Sequence, residues 1–317
     1  MTIPVIDSFC RAYPEVELTM LTSKPGAAIY RAVLSGLPNL RLIAINKKDY
    51  SGLKGMNRLY REMKETGFDA VADLHDVLRT KWVSLRFRLA GHTVKVIDKG
   101  RKQKKLLLSH RLNEQLTDGF TRYAQVFRQL GFSFEVDYRG QDHRLPSSAH
   151  QPSIGIAPFA QHQGKIYPIS QMYEVVRLLI QQRPDLHIYL FGGPEDSNII
   201  QPWADAHPDR VTNMAGKQTF ADDLALMSGL RLMLSMDSAN MHLASLVGIR
   251  CLSVWGATHR HAGFLGYGQQ ATDCIEQTLA CRPCSIYGNQ PCTQGNYPCL
   301  RDIQPSAVAQ RVLDALA

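Results

Sequence analysis

Residues 234–258 read LSMDSANMHLASLVGIRCLSVWGAT. An apolar run ends at Asp237, a short polar break follows, then an amphipathic stretch and a second apolar run. The pattern predicts a strand over 231–237, a helix near 239–247 and a strand over 251–258. Two strands joined through a helix run parallel, and a parallel sheet needs helices on both faces, so both strands are apolar without alternation.

The same pattern repeats on either side. Strands are predicted at 153–159 (SIGIAPF) and 187–193 (HIYLFGG), with helices near 170–183, 195–206 and 220–229. The first half carries strand-like runs at 16–22, 41–45, 68–74 and 93–98, alternating with helical patterns. A last helix, PSAVAQRVLDALA, closes the chain. Two blocks of this kind predict an α/β protein of two doubly wound, Rossmann-like domains, 1–140 and 141–317. The stretch 137–152, DYRGQDHRLPSSAHQP, is polar, contains proline and has no periodicity, and it reads as the linker.

A chain of 317 residues, 44% hydrophobic and 20% charged, has mass enough for two cores and no signature of disorder. Its longest apolar stretches, such as LALMSGLRLMLSM, fall short of the ~20 residues of a membrane span. The expected location is the cytoplasm, against the inner face of the cell membrane. Charge is what suggests the membrane. The net charge is +8, yet residues 79–111 hold eleven Lys and Arg against the single acid Asp98. A local field of that size suits an anionic partner: a phosphorylated glycolipid, a membrane surface or nucleic acid. KGRKQKKLLL (99–108) adds an apolar stretch that reads as exposed. Nucleic acid is disfavoured, because only Trp82 and Phe87 interleave the basic residues and single-strand binders need stacking platforms.

In open α/β sheets ligands bind beyond the carboxyl ends of the strands. At the end of 231–237, Ser238 is placed to cap the next helix, the N–H groups of Ala239 and Asn240 face outward, and His242 follows one turn on. A phosphate suits that helix start, whereas Asp237 suits sugar hydroxyls or the turn itself; a plain cap with a satisfied histidine is the alternative. After SIGIAPF, Gly164 permits a tight turn and Lys165 stands as a clamp for a diphosphate. After HIYLFGG, Glu195 is placed for ribose hydroxyls, while Asp196 reads as a solvated charge. Five cysteines crowd into 274–299. Of these, Cys281, Cys284, Cys292 and Cys299 are candidate ligands of a structural zinc, with reduced thiols or adventitious disulfides as the alternatives.

MDSANMHLASLVGIRCLSVWGAT resembles the signature of glycosyltransferase family 9, the lipopolysaccharide heptosyltransferases: Asp-(Ser/Thr)-Gly-x-x-His-x-Ala-x-x-x-Gly, then a strand and Gly-x-Thr. FDAVADLHDVLRT is similar to that family's strand and following turn, and CRPCSIYGNQPC with Cys299 resembles its cysteine-bearing tail. Ala239 stands where the family has glycine, and its methyl would crowd a closely bound phosphate. The resemblance implies a two-domain GT-B enzyme that needs no metal and inverts the sugar carbon. Its donor would be a nucleotide-diphosphate sugar, typically ADP-heptose, bound by the second domain; its acceptor would be an anionic glycolipid bound by the first. Carried over, Lys165 would hold the diphosphate, Glu195 the ribose, and Asp237, Ser238, Ala239 and His242 the diphosphate and sugar. Arg79, Arg101, Lys102, Lys104 and Lys105 would face the acceptor. An epimerase or hydrolase of nucleotide sugars on the same scaffold is the rival enzyme, and a catalytically impaired nucleotide-binding protein the other alternative.

The opening stretch MTIPVIDSFC reads as a helix from Thr2 and Pro4 to a stop at Pro14, with no strand ahead of it. Family 9 chains usually begin with a strand and a turn containing Gly-Asp. The resemblance therefore implies that the first domain lacks its first strand, and with it the aspartate that would act as general base. Asp7, inside the helix, is no substitute.

Overall fold

The computed structural model describes residues 1–143, 145–150 and 152–317. The expected linker thus includes two residues, 144 and 151, that lie outside the described ones. The chain forms two compact units, Met1–Arg101 with Thr117–Tyr138, and Lys102–Leu116 with Arg139–Ala317.

The first unit runs α1 (Ile3–Ala12), β1 (Leu18–Ser23), α2 (Lys24–Leu34), β2 (Leu40–Ile45), α3 (Gly52–Lys64), β3 (Ala70–Asp73), α4 (Leu78–Leu89) and β4 (Thr93–Val96). Helix α5 (Arg101–Leu108) then leads to α6 (Gly119–Gln129). In α1, Pro4 sits in the first turn, where its missing N–H costs nothing. The buried face of that helix includes Phe9, whose ring centre lies 4.6 Å from that of Phe127. Asp7 is buried and ion-paired to Arg11 at 2.7 Å, so it serves the helix rather than any reaction. Strand β1 pairs in parallel with β2, and β3 with β4. Among the described residues no ladder joins the two pairs, although Leu21, Ile43, Val71 and Val96 all pack on one core of Leu59, Tyr60, Met63, Phe87 and Val94.

The second unit carries β5 (Ser153–Ala157), α7 (Ile169–Gln182), β6 (His187–Leu190), α8 (Ser197–Ala206), β7 (Val211–Asn213), α9 (Phe220–Ser228) and β8 (Leu232–Met236). After these come α10 (Ala239–Leu246), β9 (Cys251–Trp255), β10 (Cys274–Glu276), α11 (Pro298–Arg301) and α12 (Pro305–Leu316). Its six strands lie in the order β10-β9-β8-β5-β6-β7, every pair parallel. Counted from β5, that is the doubly wound order 3-2-1-4-5-6. Every residue of β5, β8 and β9 is buried, as two covered faces require, whereas every residue of β1 is only half-buried. Helix α7 packs on α12 through Met172, Val176 and Leu179 against Val308 and Val312 in the main core.

The eight expected strands all form; β1 ends one residue later than expected, β2 ends as expected, and the other six end one to three residues earlier. Strands β7 and β10 were not expected. Each has three residues at an edge of the sheet, too short to carry a pattern. The LLL of KGRKQKKLLL is not an exposed stretch: Leu107 is buried with Leu116, Ala262 and Ile286, and Leu106 alone of the three is exposed.

Candidate functional site

Strands β5 and β8 are neighbours, and the chain leaves β5 towards β6 on one side and β8 towards β9 on the other. Their carboxyl ends are therefore the switch point of the sheet. Lys165 follows β5 and Asp237 follows β8, and the structure brings them together: Lys165 Nζ lies 2.9 Å from Asp237 Oδ2, with side chains 16% and 4% exposed. Thr258, fully buried beyond β9, donates its hydroxyl to the same oxygen at 2.8 Å. Asp237 is thus satisfied from within the protein, and the lysine expected to clamp a ligand is held by the carboxylate.

Ser238 does not cap α10, contrary to the sequence reading. Its extended backbone directs the hydroxyl to Ser235 Oγ at 3.2 Å, and no side chain caps the helix. The helix start is left as an N-terminal dipole with Ala239 in its first position. His242 is half-buried, and its Nδ1 is a buried atom with no hydrogen-bond partner among the described residues. Burial lowers its pKa, and the nearby Lys165 charge lowers it further, so the imidazole is neutral. Glu195 is exposed just beyond β6. Asp196 departs from its reading as a solvated charge. Its carboxylate accepts the Gly193 N–H at 2.8 Å, and partial burial raises its pKa, with Glu195 adding to the shift.

What holds the Lys165 turn comes from the cysteine-rich segment. Gly164 N–H donates to Gly288 O at 3.2 Å, and Ala257 N–H donates to Gly164 O at 2.8 Å. A Cβ on residue 164 would stand 2.8 Å from Gly288 O and 2.9 Å from the Ala257 methyl, so only glycine allows this approach. Behind the turn, the buried Arg282 guanidinium donates to the carbonyls of Trp255, Gly256 and Thr258, at 3.2, 2.5 and 3.0 Å, and pairs with Glu276 at 3.0 Å. One cation thereby orders the carboxyl end of β9, where Thr258 is borne. Sequence reasoning missed both Thr258 and Arg282: the first stood in a quoted motif without a role, and the second read as a charge between two cysteines.

The four candidate zinc ligands are free thiols, and Cys281, Cys284 and Cys292 lie near enough to Cys299 to raise its pKa. Among the described residues no three His, Cys, Asp or Glu side chains are placed to hold a metal ion. Cys299 is instead a core residue beside Leu300, with its thiol pushed up to about 11 by burial. Cys284 sits where its backbone N–H bonds Ala257 O at 3.1 Å.

The expected acceptor residues fall in both units. Arg101 is engaged, 2.6 Å from Asp76 Oδ2, and Asp76 itself has a left-handed φ of 44° beyond β3. Asp73 fixes that turn by accepting the N–H groups of His75 and Asp76, each at 2.9 Å. Arg79 lies in the first turn of α4. Lys102, Lys104 and Lys105 belong to the stretch that packs with the second unit, where Lys104 Nζ sits 4.4 Å over the Phe264 ring.

Two α/β units, the second doubly wound with a lysine, a carboxylate and a bare helix start at its switch point, define a GT-B type of transferase scaffold. The model of glycosyltransferase family 9 (heptosyltransferase) matches residues 56–290, and the chain belongs to that family and is a glycosyltransferase. The lipopolysaccharide core heptosyltransferase OpsX of Haemophilus influenzae is 23% identical over 265 residues, covering 80% of this chain and 74% of that protein. Among solved structures, the ADP-heptose lipopolysaccharide heptosyltransferase II of E. coli matches with a TM-score of 0.66 at 17% identity, over 100% of this chain and 95% of that one. E. coli heptosyltransferase WaaC with ADP matches with a TM-score of 0.68 at 17% identity, over 99% and 95%. The fold is thus the one expected, and the epimerase and hydrolase readings gain no support.

The ion pair makes two predictions. Lys165→Ala leaves a buried carboxylate with Thr258 as its one remaining partner and lowers stability by about 3 kcal/mol or more. The double variant Lys165→Met, Asp237→Asn recovers most of that loss. Urea unfolding of the three proteins checks this, and an unchanged midpoint for Lys165→Ala would show that the pair contributes nothing.

His242 and His259 are both held below the ordinary value of 6.5, His259 to about 4, by burial first and then by His261, Arg282 and Arg260. Below pH 6.5 the unfolded chain takes up protons that the folded one refuses, so stability falls as the pH drops from 7 towards 5. Each histidine contributes up to about 1.4 kcal/mol per pH unit. Unfolding midpoints at several pH values test this: His259→Asn should flatten the slope, and a midpoint independent of pH would contradict it.

Proposed function

We propose that the protein transfers a heptose from ADP-heptose to a lipopolysaccharide core or a related anionic glycolipid, with inversion at the sugar carbon and without a metal ion. The observation that carries this reading is the Lys165–Asp237–Thr258 cluster at the switch point, beside an uncapped helix start and an unpartnered His242 nitrogen. The names of the H. influenzae and E. coli relatives support the sugar, the base and the acceptor class.

In this reading the diphosphate draws Lys165 away from Asp237. The ammonium and the α10 dipole then stabilise the charge that builds on the leaving ADP. Asp237, released from the lysine but still held by Thr258, turns its free acceptor capacity to sugar hydroxyls. His242 is neutral and offers Nδ1 to the same ligand, and Glu195 takes the ribose. Ala239 sets the limit on how closely a phosphate oxygen can approach the helix.

Thermal shift with ADP, UDP, GDP and their sugars tests the donor, since a ligand that binds only the folded state raises the midpoint. ADP-heptose is expected to give the largest shift and to resist EDTA. A larger shift with UDP-sugars, or loss of the shift on chelation, would overturn the donor or the metal-free reading respectively.

A further inference from the structure

Helix α4, LRTKWVSLRFRL, turns one face inward and a second apolar face outward. Phe87 and Ser84 are buried, and Thr80 and Val83 are half-buried beside them. On the opposite side Leu78, Trp82, Leu85 and Leu89 fall within about 60° of one line down the helix. Three of these are open to solvent: Leu78 is 79% exposed, Leu85 44% and Leu89 76%. Trp82 is half-buried, its indole N–H fixed on Asn57 Oδ1 at 3.1 Å. Cations border this stripe on both sides, Lys81 and Arg88 along one edge and Arg79 and Arg86 along the other, and the helix contains no acid. Arg86 also donates to Asn57 at 3.1 Å and lies 4.8 Å over the Tyr60 ring, so its stem is held against α3 and its position is fixed.

We propose that this face of α4 docks on an anionic phospholipid surface, with the helix lying in the plane of the interface. Leucines spaced along a single stripe can sink below the headgroups while flanking Lys and Arg meet lipid phosphates. A protein partner or a second copy would need acids facing the four cations that border the stripe, and α4 offers a copy of itself none. The inference rests on the reading of a membrane-borne acceptor for its purpose; its chemistry is that of the helix alone.

Co-sedimentation with vesicles of phosphatidylethanolamine and phosphatidylglycerol, and with phosphatidylcholine alone, tests it on the whole chain. Binding is expected to the anionic vesicles and to weaken about tenfold or more when salt is raised. The triple variant Leu78→Ser, Leu85→Ser, Leu89→Ser should bind at least about tenfold more weakly. It should keep its melting temperature, its ADP-heptose shift and its transfer to a lipid-free acceptor. Arg88→Ser should weaken binding less and reduce its salt dependence. Wild-type binding by the triple variant would overturn the proposal. So would a concentration-dependent dimer abolished by the serines, or tighter binding to DNA than to vesicles. Failure of donor binding with vesicle binding intact would instead count against the proposed function.

Discussion

Asp237 is a carboxylate with a side chain 4% exposed at the end of a fully buried strand, and a charge in that position has to be matched or neutralised. The second unit matches it twice, with Lys165 from the end of β5 and Thr258 from the end of β9. Three strand ends are thereby tied to one oxygen atom. The arrangement puts a cation at the switch point before any ligand arrives. It also sets a cost on using that cation, since moving Lys165 strips the carboxylate of its charge partner. A diphosphate can meet this cost because it replaces one anion with another; a neutral ligand cannot. On the proposed reading the ion pair would act as a filter on what the site accepts; within the fold it ties together the ends of β5, β8 and β9.

The support extends backwards through neutral and charged hydrogen bonds. Arg282 is buried, and its charge is tolerated because the carbonyls of Trp255, Gly256, Thr258 and Gln277 and the Glu276 carboxylate surround it. The cysteine-rich segment, which spacing alone suggested as a metal knuckle, does the work of a strap: backbone bonds to Gly164 and Ala257 on one side and Cys299 and Leu300 in the core on the other.

Buried parallel strands are apolar on every residue, and that is why residues 234–258 and their counterparts could be read directly as strands and helices. Positions of single polar residues at strand ends were also legible, because a strand end is a fixed place. Pairings were not. Lys165 and Asp237 meet only because β5 and β8 are neighbours, an order that no local pattern records. Ser238 had the right identity for a cap and the wrong backbone, with its hydroxyl turned to Ser235. Basic residues 79–111 read as one patch, yet the chain divides after Arg101, and Lys102, Lys104 and Lys105 lie with the other unit. The exposed stripe of α4 was hidden for a different reason: with cations on both edges and a buried face opposite, the helix shows apolar residues on two sides and no simple amphipathic signal.

The bonds between Gly164 and residues 257 and 288 set an order on the growth of the chain. The turn that carries Lys165 is made early in the second unit, yet its partners leave the ribosome after β9, the last of them near the end of the chain. Until then the ends of β5 and β8 exist without their brace. A ribosome paused after β9 would hold a nascent chain with five of its six strands made and an unfinished active centre. The brace of the Lys165 turn is therefore complete only once Gly288 has been made.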